Sequence, residues 1–154
     1  MFRRLLGRLC RGGGRSDPRV GLLVDGPNVL RSEFDVDLAD LRSAGEDEGR
    51  LVATRLYLDE HASPGLIQAA EAYGFEVVVT SGDVDVKLAI DGTALSLSGT
   101  LDLLVVASRD TDFKPLLEIA ARNGIRTLAV APGEHGRSAA LRNAAHESIV
   151  LEER

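Results

Sequence analysis

The chain has 154 residues, 44% hydrophobic and 27% charged, with a formal net charge of −6, which predicts one domain with a core of its own. No apolar run approaches the roughly 18 residues of a membrane span, and the single Cys10 excludes an internal disulfide and points to a reducing cytoplasm. Four Phe, two Tyr and no Trp argue against an aromatic platform for stacking single strands.

The chain opens on MFRRLLGRLCRGGGRSDP, where arginines interrupt every apolar run, so this is not a secretory signal. Phe2, Leu5, Leu6, Leu9 and Cys10 fall at helical spacing, and Gly12, Gly13 and Gly14 read as a flexible joint. A basic amphipathic segment of this kind contacts RNA, anionic lipid or a partner groove, or remains a disordered tail. Residues 1–18 are therefore expected to form an arm that touches polyanions, and residues 19–154 the folded domain. Arg3, Arg4, Arg8, Arg11 and Arg15 lie in residues 1–15, which hold no acid. With −6 for the whole chain, the remainder carries −11. An acidic body does not bind duplex by blanket phosphate neutralisation. It suits a protein that gathers metal ions, although most of its acids simply keep the surface solvated.

From Val20 onward, short apolar runs alternate with helical periods. GLLV (21–24) reads as a first strand and is closed by DGPN (25–28); a helix follows over Asp37 to Glu48. LVATRLYL (51–58) is a second strand. Ser63 and Pro64 supply a cap and a first-turn proline for the next helix, which Gly74 ends. FEVVV (75–79) is a third strand, and GDVDVK (82–87) opens a helix over Val84 to Leu97. LDLLVVA (101–107) is a fourth, closed by SRDTDF (108–113). Phe113, Leu116, Leu117, Ala120 and Ala121 then form one helical stripe that ends at Gly124, with Pro115 tolerated in the first turn. IRTLAVA (125–131), a helix over Ser138 to Ala145 and the strand IVL (149–151) complete the set. Continuous apolar strands separated by helices predict a three-layer α/β/α sandwich with a mainly parallel sheet. A doubly wound order 3-2-1-4-5 makes strands 1 and 4 neighbours at the switch point, where such sheets bind ligands.

The polar loops DGPN and SRDTDF then share one crevice. Asp25 ends the first strand, and the turn at Gly26 and Pro27 lets Asn28 face the same way. Asp110 and Asp112 come from the neighbouring loop, and the helix opening at GDVDVK brings Asp83 or Asp85 to the same rim. Crowded carboxylates raise one another's pKa unless a cation neutralises them. All-oxygen donors with no Cys or nearby His suit Mg²⁺ or Mn²⁺ rather than zinc. Taken singly, an Asp after a strand reads as a helix N-cap, and Asp112 fits that role for the helix opening at Phe113. Asp91, four residues after Lys87, reads as a pair on a helix face. His61, His135 and His146 are scattered and carry no assigned chemistry.

VDGPN, VDVKLAID, ASRDTDFKPLLEIA and APGEHGRSAAL, in that order, resemble the NYN domain, a branch of the PIN-like nucleases, over about Val20 to Leu151. The resemblance implies a PIN-like, Rossmann-like fold and a Mg²⁺- or Mn²⁺-dependent endoribonuclease that hydrolyses single-stranded or structured RNA. It matches Asp25, Asp85, Asp110 and Asp112 to the family's acidic metal-binding positions, and Asn28 and Ser108 to polar positions that orient the site. Arg109 stands where the family usually has a small residue, often Gly, and either reaches a phosphate or restricts access. Lys87 lies beside the site and is a candidate substrate contact. A homodimer is compatible with this reading.

The sequence leaves two alternatives open. One is an RNA-binding or adaptor domain that kept the fold and lost catalysis; the intact acidic set counts against it, because without a cation the acids only repel. The other is a phosphatase or another metal-dependent phosphotransferase on an α/β fold. An aspartyl-phosphate enzyme wants D-x-D after its first strand, and this chain has D-G-P there.

Overall fold

The computed structural model describes residues 16–30, 36–133 and 139–151. Six strands form one parallel sheet: β1 (Arg19–Asp25), β2 (Arg50–Asp59), β3 (Glu76–Thr80), β4 (Leu103–Ala107), β5 (Arg126–Ala131) and β6 (Glu147–Val150). Their order is β3-β2-β1-β4-β5-β6, the expected order with β6 added at the edge. The helices are α1, a single turn (Gly26–Val29), α2 (Leu38–Glu46), α3 (Pro64–Ala72), α4 (Val84–Leu97), α5 (Lys114–Arg122) and α6 (Ala139–Ala144). The predicted arm, residues 1–15, lies outside the described residues.

Period-two side chains of the central strands divide the core between two faces. Leu22 and Val24 of β1, Leu56 and Leu58 of β2, and Leu103 and Val105 of β4 pack with Leu41 of α2 and Ala70 of α3. Leu23, Tyr57, Leu104 and Val106 point the other way, against Val84 and Leu88 of α4 and Leu116, Leu117 and Ala120 of α5. Burial on both faces is why these strands read as unbroken apolar runs: every residue of β4 is buried. The local signals behave as their chemistry requires. Ser63 Oγ accepts the amide hydrogen of Leu66 at 3.2 Å at the start of α3, where Pro64 costs no helical bond. Gly74 and Gly124, which end helical stretches, have φ of +83° and +77°. Among the described residues, no helix is long and apolar enough to cross a membrane.

The switch point falls between β1 and β4, which pair in parallel from Val20↔Leu103 to Val24↔Ala107. That register sets Asp25 beside Ser108, just past the carboxyl ends of both strands.

Candidate active site

Asp25 is 2% exposed, at the end of an otherwise apolar strand. It occupies the N-cap position of α1, yet its side chain makes no capping bond. Its Oδ2 instead accepts Asn28 Nδ2–H at 2.6 Å and Ser108 Oγ–H at 3.0 Å. The turn of α1 is what swings Asn28 back onto Asp25. Gly26 is needed there, because a Cβ would lie 2.6 Å from the carbonyl oxygen of Tyr57 and 2.5 Å from Leu58 Cδ2.

The loop after β4 is organised by the same serine. Ser108 Oγ accepts the amide hydrogen of Asp110 at 3.0 Å while donating to Asp25, so one hydroxyl links the ends of β1 and β4. Asp110 Oδ1 accepts the amide hydrogen of Asp112 at 2.9 Å and caps the 3₁₀ turn Thr111–Phe113. The expected cap at Asp112 is thereby corrected. α5 begins one residue later than its stripe suggests, with Phe113 at its N-cap and no side-chain cap bond, and Asp110 performs the capping. Asp112 is left exposed, its carboxylate turned to the acidic rim.

α4 supplies the third wall. Asp83 sits at its N-cap without a side-chain cap bond, and Asp85 lies in its first turn. The preceding Gly82 has φ of +104°, a conformation that a side chain would strain. Carboxylate oxygens of Asp85, Asp110 and Asp112 all lie within 4.8 Å of one another. Beside them opens a cavity of about 300 Å³, lined by Asp25, Asn28, Asp59, Asp83, Asp85 and Asp110 among others.

Burial pushes the carboxyl of Asp25 above its ordinary range. Hydrogen bonds from Asn28 and Ser108 oppose the shift, and the charges of Asp110 and Asp85 add to it. The donors fit a hard divalent cation: all are carboxylate oxygens, and neither His nor Cys stands among them. A cation would also neutralise the repulsion that the bare cluster suffers.

The sequence-derived residues fall into three groups. Asp85, Asp110 and Asp112 meet directly, while Asp25 lines the same cavity with Asn28 and Ser108 bonded to it. Arg109 is half-buried and is not among the cavity-lining residues; Lys87 Nζ lies 3.1 Å from Asp91 Oδ1, the helix-face pair its spacing predicts. Asp59 escaped sequence reading. It ends β2, next to β1, and lines the cavity while its Oδ1 accepts the amide hydrogen of His61 at 2.9 Å. An aspartate closing the apolar LVATRLYL run, on the strand beside β1, was the available signal.

A six-stranded parallel α/β sheet with carboxylates gathered at its switch point places the chain among proteins that work at the carboxyl edge of such sheets. The chain belongs to the NYN domain family, within the PIN-like nuclease superfamily: the family model matches residues 19–152. It is 38% identical over 139 residues to an uncharacterized protein of Methanocaldococcus jannaschii, covering 90% of this chain and 58% of that relative. The chain thus spans little more than half the length of that protein. A crystal structure of a protein of unknown function from Vibrio parahaemolyticus matches with a TM-score of 0.78 at 20% identity, over 92% of this chain and 97% of the other. That likeness supports the fold.

Proposed function

We propose that this protein is a metal-dependent RNA endonuclease, with Asp25, Asp85, Asp110 and Asp112 as its acidic machinery and Mg²⁺ or Mn²⁺ as its cofactor. The observation that carries the reading is the convergence of Asp85, Asp110 and Asp112 within 4.8 Å, from two separate segments, beside the buried Asp25. A divalent ion bound there supplies a stronger nucleophile from water and offsets charge on the phosphate. The chain supplies the rest. Asn28 and Ser108 fix the orientation of Asp25, and the Ser108 hydroxyl ties that carboxylate to the loop bearing Asp110. Arg109, on that loop, and Lys87, shared with Asp91, are the candidate contacts for RNA phosphates.

Family membership supports phosphodiester chemistry, and the open, strongly acidic crevice supports a cation-dependent encounter with a polyanion, since bare carboxylates repel phosphate. Labelled single-stranded RNA incubated with the protein should be cut internally with Mn²⁺ or Mg²⁺ and remain intact with EDTA. RNA that is bound but left whole with either metal would contradict the nuclease reading and favour a binding module.

A further inference from the structure

α4 carries Asp85, yet its sequence does not dictate which way the helix faces. Its buried residues are Val84, Leu88, Gly92 and Ser96, while Val86, Ile90 and Leu97 stand 52%, 59% and 60% exposed. A helix with apolar side chains on both its buried and its exposed face is given little rotational preference by hydrophobic burial. Burial of apolar area by itself would favour isoleucine and leucine over glycine and serine on the inner face. Gly92 lets the helix approach closely, because a Cβ there would lie 2.8 Å from Leu116 Cδ2 and 3.2 Å from Leu23 Cδ1.

A polar tie adds what the apolar surface lacks. Tyr57 is fully buried on β2 and donates its hydroxyl to Asp91 Oδ2 at 2.9 Å. The Asp91 side chain is 16% exposed, with Arg55 Nη1 at 3.7 Å and Lys87 Nζ at 3.1 Å. Lys87 and Arg55 also pair with Asp91, but the bond from the fully buried Tyr57 reaches the helix from a fixed point on the sheet, so it favours the rotation of α4 that makes it. Asp91 follows Asp85 by about 9 Å of helix rise and roughly 240° of rotation, so holding one fixes the bearing of the other. Tyr57 itself lies opposite Asp25 in the β1–β2 register. The tie is therefore anchored on the strand position next to the buried site carboxylate.

We propose that Tyr57 and Asp91 are positioning residues: their buried bond sets the rotation of α4 and so aims Asp85 at Asp110 and Asp112. Its link to metal binding rests on reading Asp85 as a metal ligand. Tyr57→Phe removes the donor and keeps the ring. Asp91→Leu removes the acceptor, whereas Asp91→Asn keeps an acceptor oxygen for the hydroxyl. Leu128→Val trims the core on the opposite face of the sheet and serves as a control for simple loss of stability.

Two measurements on the folded proteins decide the matter. The first is Mn²⁺ affinity without RNA, read by the paramagnetic resonance of free Mn²⁺. The second is the carbon chemical shift of the Asp85 carboxyl in EDTA. Tyr57→Phe and Asp91→Leu should weaken Mn²⁺ binding by about 10-fold or more, as loss of groups that orient ligands does, and should move the Asp85 signal. Asp91→Asn should stay near wild type, and Leu128→Val should change neither readout. Wild-type Mn²⁺ affinity and an unmoved Asp85 signal in both Tyr57→Phe and Asp91→Leu would overturn the proposal while leaving the nuclease reading intact. If wild type binds no Mn²⁺ but Asp85 still moves in these variants, the positioning role holds and the metal reading is what fails.

Discussion

Asp25 illustrates why the proposed site would depend on a cation. Its carboxyl is raised chiefly by burial, with Asp110 and Asp85 adding to the shift against the pull of Asn28 and Ser108. A raised value means that the native state holds this proton more tightly than the unfolded chain does. Without metal, the contribution of Asp25 to stability is therefore greatest at acid pH and is lost as pH rises through its folded-state value. Asp25→Asn removes the buried charge while its amide oxygen can accept the same two hydrogen bonds. In EDTA the variant should melt at or above the wild-type temperature near neutral pH, and its advantage should shrink on acidification. Added Mn²⁺ should raise the melting temperature of wild type far more than that of the variant. Thermal melts across acid to neutral pH check this, and a variant that melts lower than wild type at neutral pH would contradict it. The aspartates that punctuate apolar runs were legible in the sequence for the same physical reason, since a carboxylate at the mouth of a buried strand needs a purpose. Asp59 was missed because Glu60 and His61 make its surroundings look like an ordinary polar loop.

At the level of elements, each predicted strand and helix is present, and most differences are at their ends. β2 extends from Arg50 to Asp59 beyond the predicted LVATRLYL, and α2 ends at Glu46. Burial on both faces left unbroken apolar runs, and proline, serine and glycine marked several helix ends, so these elements could be read directly. The orientation of α4 could not be read, because its exposed face is as apolar as its buried one. Nor could the single helical turn after β1, which sequence alone presented as a sharp bend. That turn gives a test at its own scale. Gly26→Ala forces a methyl group toward the Tyr57 carbonyl and Leu58, which should cost about 1–3 kcal/mol by overpacking. It should also shift Asn28 off Asp25. Denaturant unfolding measures the first effect, and weaker Mn²⁺ binding reports the second. A variant as stable as wild type would show that the turn can relax without loss.

The whole molecule pairs an acidic body with five arginines in residues 1–15. If that arm adds affinity for polyanions without entering the chemistry, deleting it should flatten the salt dependence of RNA binding. The slope should fall by up to about 3.5, at roughly 0.7 per arginine for single strands. Single-turnover cleavage at saturating RNA should be unchanged, and equal slopes with and without the arm would end this idea. The central claim is that Asp85, Asp110 and Asp112 hold a catalytic cation, and Asp110→Asn tests it most directly. The structure gives Asp110 a second task, capping the turn before α5, and Asn caps about as well as Asp. The substitution therefore removes charge while leaving the fold intact. Wild type and Asp110→Asn should be assayed together for RNA cleavage in Mn²⁺ and for melting in EDTA. The account predicts cleavage lower by orders of magnitude, with a melting temperature equal to or above that of wild type. An Asp110→Asn protein that cuts RNA as fast as wild type would contradict it.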